Sequence, residues 1–145
     1  MIRTVLAVSA IAIGITAVAA QSDPIAQRKA IMKEVGAQTK TGGGMAKGEV
    51  PYDQGKAQTI FTTYVDAAAK MPGLFPETSK TGGDTAALPA IWQNKADFDA
   101  KFAKFGADAK AAASAVKDAD SFKTTFSGIT KNCGGCHETY RAKKN

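Results

Sequence analysis

Apolar residues recur at alternating spacings of three and four along four stretches of the chain, the period of a helix that buries one face. The first helix is predicted over residues 24–40, ended by the glycines at 42–44, and the second over 53–71, ended by a Pro-Gly pair. The third is predicted to begin after Asn94, a good N-cap residue, and the fourth near Asp120. The predicted inward positions, in chain order, are Ile25, Arg28, Met32, Val35 and Thr39; Ala57, Phe61, Tyr64, Ala68 and Met71; Phe98, Phe102, Phe105, Ala109, Ala112 and Val116; and Phe122, Phe126, Ile129, Cys133, Cys136 or His137, and Tyr140.

Four helices with such seams predict an all-α fold, an antiparallel four-helix bundle. The composition agrees, because the chain holds 28 Ala and 44% hydrophobic residues while β-branched Val and Ile are scarce after position 20. A length of 145 residues favours one domain. An irregular segment over residues 72–89, with three Pro and three Gly, separates the second and third helices.

The first 20 residues are predicted to be a signal peptide. They begin Met-Ile-Arg, continue as an apolar run and end in small residues, Ala17-Val18-Ala19-Ala20. The alternative is a retained membrane anchor, since the run is marginally long enough to span a bilayer. The Ala-x-Ala ending favours cleavage near Gln21, which leaves a domain over residues 21–145 without stable membrane insertion.

The candidate chemistry lies in Cys133-Gly134-Gly135-Cys136-His137, the Cys-x-x-Cys-His signal for attachment of c-type haem. Two thiols three residues apart on a helix can each form a thioether with one vinyl group of the porphyrin. The imidazole that follows lies on the same helical face and can reach the iron. Haem c is attached outside the cytoplasm in bacteria, so the motif and the signal peptide together predict a periplasmic protein.

Two other sites use similar residues. A thiol-disulfide oxidoreductase also has Cys-x-x-Cys, but its motif normally follows a strand, and the sequence predicts none before Cys133. A zinc site would need a fourth ligand, which a carboxylate could supply. The single His in the chain excludes any site that requires two imidazoles from one chain.

The signal peptide, four helices and Cys-x-x-Cys-His near the C-terminus resemble the class II c-type cytochromes, the cytochrome c-prime group. The resemblance covers essentially all of the mature chain and includes Gly82-Gly83-Asp84, Ile91-Trp92 and Tyr140-Arg141. It implies one haem c per chain, bound through Cys133 and Cys136 in a helical bundle. The chain looks most like the low-spin, methionine-ligated members of the group.

His137 is the expected proximal ligand of the iron, and the resemblance implies where the other axial ligand lies. In the family, the residue one turn after a basic or polar position in the first helix faces the distal side of the haem, and here Met32 follows Arg28. A Met there is typical of electron-carrying members, and an apolar residue is common in five-coordinate ones. Met45, in a predicted connection, and Met71, at a predicted helix end, are weaker candidates. The alternative for Met32 is that it only fills core space.

His/Met ligation predicts a periplasmic one-electron carrier rather than an enzyme, because the filled coordination sphere leaves no place for a substrate. The alternative is a five-coordinate protein that binds nitric oxide or carbon monoxide at an open distal site. Arg28 is expected to pair with a haem propionate or, equally well, to be a solvated surface residue. Trp92 and Tyr140 are expected to line the haem or to belong to the ordinary aromatic core.

The expected partners are redox proteins with an acidic docking face. The formal net charge is +6, with basic and acidic residues interleaved along the helices, which argues against nucleic-acid binding. Relatives are often antiparallel homodimers, so a homodimer is also an expected assembly. The basic residues that cluster around the haem motif are Lys131, Arg141, Lys143 and Lys144.

Overall fold

Four long helices build the protein in the computed structural model, which describes residues 23–143. We name them α1 (Pro24–Lys47), α2 (Gln54–Lys70), α3 (Lys95–Ala115) and α4 (Ala119–Tyr140). Both α1 and α3 pack against α2 and α4. Short connections join α1 to α2 and α3 to α4, which makes these neighbours antiparallel. The predicted all-α antiparallel four-helix bundle is confirmed.

Short polar side chains cap the start of three of the long helices, and at α1 Asp23 accepts a hydrogen bond from the backbone N–H of Ile25 (2.9 Å). Asp53 accepts a hydrogen bond from the backbone N–H of Lys56 (2.8 Å) at the start of α2. Asp118 and Ser121 form a reciprocal capping box at the start of α4. Asn94 precedes α3 as predicted, but its side chain makes no capping hydrogen bond, because a separate helical turn, Ala90–Gln93, leads directly into that helix.

The glycines at 42–44 lie inside α1, so the prediction that they end the helix was wrong. A Cβ on Gly42 would lie 2.3 Å from Cε2 of Phe126, so the bare backbone lets this ring pack directly against α1. Burial of the ring offsets the helix-propensity cost of glycine, about 1 kcal/mol. The prediction that Met45 lies in a mobile connection was also wrong, because Met45 is helical and buried in the core.

The true end of α1 is at Gly48, which has a φ of +74°. Its backbone N–H donates to the carbonyl oxygens of Gly44 and Met45, which satisfies acceptors that the last turn leaves unpaired. A left-handed residue just after a helix is the position where glycine has no Cβ penalty. The glycine that stops the helix is therefore Gly48, because its left-handed conformation is what glycine alone adopts freely.

The contact between Gly42 and Phe126 sets the level at which α1 and α4 face each other. Met32 lies ten residues before Gly42, and His137 lies eleven residues after Phe126. At 1.5 Å per residue, both are about 15 Å from the contact. Since α1 and α4 run in opposite directions, the same register places Met32 and His137 at one level of the bundle.

The α2–α3 loop, residues 71–94, covers one side of that level. It contains two 3₁₀ turns, Met71–Leu74 and Glu77–Ser79, and then a turn at 82–84 in which all three residues have positive φ. A Cβ on Gly83 would lie 3.0 Å from Ile25, so the turn is pressed against the start of α1. The irregular segment predicted over residues 72–89 is confirmed.

The signal peptide predicted over residues 1–20 lies outside the described residues. Between positions 23 and 143, no helix combines the length and the apolar content that a membrane span requires. Over the same range, Val50 is the one large apolar side chain that stands exposed.

Gly42→Ala and Gly43→Ala form a matched pair that tests the packing of α1 on α4. Gly42→Ala should lower the free energy of unfolding by about 1–3 kcal/mol, because its methyl group overlaps the Phe126 ring. Gly43→Ala should raise that free energy by about 0.5–1 kcal/mol, because a Cβ there meets nothing within 4 Å and alanine favours the helix. Urea denaturation of both variants checks this; equal effects at the two positions would contradict the close contact.

Candidate haem site

The attachment motif lies in the last two turns of α4. Cys133, Cys136 and His137 are three and four residues apart, so they share one face of the helix, and each is half-buried. Between them, Gly134 and Gly135 are exposed, and a Cβ on either would meet nothing within 4 Å. The helix therefore presents two thiols and an imidazole together, with bare backbone between the thiols.

Two adjoining cavities border this face, with volumes of about 160 Å³ and 60 Å³. Both are lined by Met32, Phe102, Cys136 and His137, so they are parts of one cleft. The smaller part is also lined by Cys133. The larger part reaches between α1, α3 and the α2–α3 loop, where its further lining side chains include Phe75, Ile91, Phe98 and Tyr140.

The structure brings Met32 into the same cleft as His137 and Cys136, as the register of α1 and α4 requires. It also brings in Met71, which is 4% exposed and lines the larger part of the cleft. The sequence pattern indicated that Met71 is buried on the inner face of α2. It carried no sign of the cleft, because Met71 begins the 3₁₀ turn whose direction decides what the side chain faces.

Burial governs the ionisation of the motif residues. It raises the pKa of both cysteine thiols, and Lys101 partly opposes the rise at Cys136. Burial lowers the pKa of His137, and the nearby charge of Arg141 lowers it further. The imidazole is therefore held in its neutral form, the form that binds a metal ion.

Arg28 lines the cleft and is only 4% exposed. The prediction that it is a solvated surface residue was therefore wrong. Its guanidinium donates hydrogen bonds to side-chain and main-chain oxygens of the α2–α3 loop, and burial lowers its pKa while Asp23 partly opposes this. Sequence reasoning missed these contacts because the loop residues that accept them follow no periodic pattern. Pairing with a haem propionate stays a prediction.

Tyr140 and Trp92 have different places. Tyr140 is 3% exposed, lines the cleft and donates a hydrogen bond of 2.5 Å to Asp97 Oδ2 on α3. This bond ties the end of α4 to α3 and is the first cause of the rise in the Tyr140 pKa to about 12. Trp92 does not line the cleft; its indole N–H donates to the carbonyl oxygen of Phe75 (2.9 Å) and helps to shape the loop.

The residues present fit a covalently bound haem. Two half-buried thiols and a neutral imidazole share one helical face, and the walls opposite them are aromatic and aliphatic. Positively charged side chains border the cleft, where they can face the carboxylates of the porphyrin: Lys29, Lys101 and Arg141. A helical bundle with this donor set in a cleft at one end defines a c-type haem protein.

The comparisons with known proteins agree with this class. The model of the family described as Cytochrome C' matches residues 23–141, and the chain belongs to this family of class II c-type cytochromes. The cofactor of the family is haem c, covalently attached, and this chain has two cysteines to hold it.

Two relatives from Rhodopseudomonas palustris illustrate the range of the family. A cytochrome c' is 51% identical over 125 residues, 86% of each chain, and a cytochrome c-556 is 34% identical over 99% of each chain. A solved structure of cytochrome c' from the same organism has a TM-score of 0.83 and 50% identity, covering 86% of this chain and all of the other. The similarity to cytochrome c-556 agrees with the resemblance to low-spin members.

Replacement of Cys133 and Cys136 by Ala together should abolish covalent haem attachment, because the chain has no other thiol. The intact mass should fall to that of the polypeptide, and acid acetone should extract any haem that remains. The variant should also unfold at lower temperature, because a ligand that binds the folded state stabilises it. Ser127→Ala, on an exposed turn of the same helix, should keep the haem mass. A covalent haem on the double variant would contradict the assignment.

Proposed function

We propose that the protein is an exported, periplasmic one-electron carrier whose haem iron is held by His137 and Met32, with thioethers at Cys133 and Cys136. The observation that carries the proposal is that Met32 on α1 and His137 on α4 line both parts of one cleft. The packing of Gly42 on Phe126 supports the same pairing, because it fixes the register of these two helices.

The side chains of the cleft suit electron transfer more than substrate turnover. When bound, haem c supplies an iron that takes and gives up one electron, and a neutral Met sulfur raises its potential. His137 is held neutral by burial, ready to donate its lone pair. Met32 is half-buried on a regular helix, so it approaches the cleft without loop movement. Because both candidate ligands lie on regular helices packed in one bundle, we expect little rearrangement when the charge of the site changes.

A five-coordinate protein that binds nitric oxide or carbon monoxide is the second candidate. One observation favours it: the 51% identity to a cytochrome c' exceeds the 34% identity to a cytochrome c-556. In that case Met32 would line the distal side of the cleft without binding the iron. The two candidates share the cofactor and the proximal ligand, and they differ in whether the sulfur of Met32 is coordinated.

The redox partner is proposed to carry an acidic docking face. Lys131, Arg141 and Lys143 are exposed near the cleft end of α4, and Lys144 lies outside the described residues. Exposed charges of one sign around a redox centre steer an oppositely charged partner and speed the encounter. A homodimer also stays a proposal. Its interface would use small or polar side chains, because the described surface between positions 23 and 143 offers one exposed large apolar residue, Val50.

Met32→Leu tests the proposed ligand, and Met71→Leu is its matched control in the same cleft. Met32→Leu should convert the ferric iron from low-spin to five-coordinate high-spin and give the ferrous protein affinity for carbon monoxide. The packing cost should stay below about 1.5 kcal/mol, because the side-chain volume is conserved. Met71→Leu should leave the ferric and ferrous absorption spectra, including the ferrous spectrum under carbon monoxide, the same as those of the wild type. If Met71→Leu becomes high-spin while Met32→Leu keeps the wild-type spectra, the ligand is Met71. If both variants keep the wild-type spectra, neither Met32 nor Met71 binds the iron, and the proposed axial ligation is wrong.

Salt should slow electron transfer to an acidic redox partner, because the screening length falls to about 8 Å at 0.15 M salt. Lys131→Glu and Lys143→Glu should each slow second-order transfer at low salt without changing the absorption spectrum. Lys117→Glu is the control, because this exposed residue precedes α4 and lies at the opposite end of a helix about 30 Å long. Stopped-flow kinetics at several salt concentrations measures the effect. A rate that is flat with salt would remove electrostatic steering from the proposal.

A further inference from the structure

Arg28 is a buried cation whose side-chain hydrogen bonds all reach one loop. Its Nη1 donates to the carbonyl oxygen of Leu74 (3.1 Å) and to Ser79 Oγ (2.9 Å). Its Nη2 donates to the carbonyl oxygen of Ser79 (2.9 Å) and to Thr85 Oγ1 (2.6 Å). The four hydrogens of the two terminal nitrogens are thus used within the protein, which leaves the Nε hydrogen for any other acceptor.

The guanidinium also stacks on the loop. Its central carbon lies 4.7 Å from the centre of the Phe75 ring, within the range of a cation–π contact. Phe75 in turn packs edge-on against Phe98 of α3, with ring centres 4.7 Å apart, and against Trp92. One side chain of α1 therefore holds together both 3₁₀ turns of the loop and the aromatic wall of the cleft.

The later part of the α2–α3 loop is fastened to the end of α4. The backbone N–H of Leu88 donates to the carbonyl oxygen of Tyr140 (3.0 Å), and that of Ala142 donates to the carbonyl oxygen of Ala86 (2.8 Å). These bonds flank an antiparallel bridge between Ala87 and Arg141. The loop thus connects α1, which carries Met32, to the last turn of α4, which carries His137.

Arg28 lies one helical turn before Met32, and both line the larger part of the cleft. Its partners are neutral oxygens; among residues 23–143 it forms no ion pair with a carboxylate. A guanidinium suits this task because its two terminal nitrogens reach acceptors spread across the loop, whereas the three donors of a Lys ammonium all lie on one atom.

We propose that Arg28 is a positioning residue: it clamps the α2–α3 loop onto α1 and thereby holds Met32 close to His137. Without the clamp, the loop separates from α1, and Met32 leaves the iron more often. Exogenous ligands then enter the cleft more readily. This inference rests on the proposed ligation by Met32, and it goes further by naming the residue that controls how firmly that ligand stays in place.

Arg28→Lys and Arg28→Gln, both with haem bound, distinguish the effect of the hydrogen bonds from the effect of the positive charge. Lys keeps the charge but cannot make the four hydrogen bonds of the guanidinium, and Gln loses both. Lys33→Gln is the control, because it removes one exposed positive charge from the same helix and Lys33 does not line the cleft. In both Arg28 variants, carbon monoxide should bind the ferrous protein at least about tenfold faster. A tenfold factor corresponds to about 1.4 kcal/mol, roughly the contribution of one charged hydrogen bond. Amide hydrogen exchange over residues 74–88 should rise in parallel, and Lys33→Gln should resemble the wild type in both measurements.

Thr85→Val provides a milder test that leaves the guanidinium intact. It removes one acceptor, so ligand entry and loop exchange should rise in the same direction by a smaller factor. The clamp is overturned if both Arg28 variants and Thr85→Val match Lys33→Gln. It is also overturned if Arg28→Lys matches the wild type while Arg28→Gln does not, because the charge alone would then suffice.

The hydrogen-exchange measurement keeps this inference separate from the proposed function. If the wild-type iron lacks a Met ligand, the carbon monoxide rates of wild type and variants will agree, and the link from Arg28 to Met32 is overturned together with the carrier proposal. If Met32 is a ligand but loop exchange does not change in the Arg28 variants, the carrier proposal stands and the clamp alone fails.

Discussion

The packing of the Phe126 ring on the bare backbone of Gly42 is the contact on which the geometry of the site depends. It brings α1 and α4 together at one end of the bundle and fixes their relative register. That register places Met32 at the level of Cys136 and His137, where the helices border a cleft. This level is about 15 Å along the helices from the contact between Gly42 and Phe126. A slip of one turn along α1 would move Met32 by about 5 Å and separate the two candidate axial ligands.

Around this level, the molecule keeps both candidate ligands on regular helices and leaves the irregular chain to close the side. The α2–α3 loop is held to α1 by Arg28 and to the end of α4 by backbone hydrogen bonds. The hydrogen bond between Tyr140 and Asp97 ties the same end of α4 to α3. Each wall of the cleft is therefore connected to another. Such connections suit a site that must change its charge without changing its shape.

The helices and the attachment motif could be predicted because their signals are local. The period of apolar residues predicts the ends of α2 and α4 to within a residue or two. The Cys-x-x-Cys-His motif can be recognised from five consecutive positions alone. The end of α1 was predicted wrongly because Gly42 is explained by Phe126, a residue distant along the chain. The surroundings of Arg28 and the position of Met71 depend on the path of the α2–α3 loop, which no hydrophobic period determines. Membership of the cytochrome c' family, predicted from the motif and the bundle, is confirmed.

The proposed site holds one covalent haem per chain, with a low-spin iron whose axial ligands are His137 and Met32. The most direct test is to record the intact mass and the ferric and ferrous absorption spectra of the purified wild-type protein. We expect a mass increase equal to one haem and a low-spin ferric spectrum with the weak long-wavelength band of a Met sulfur on iron. A haem-loaded protein with a five-coordinate, high-spin ferric spectrum that binds carbon monoxide at once on reduction would contradict it.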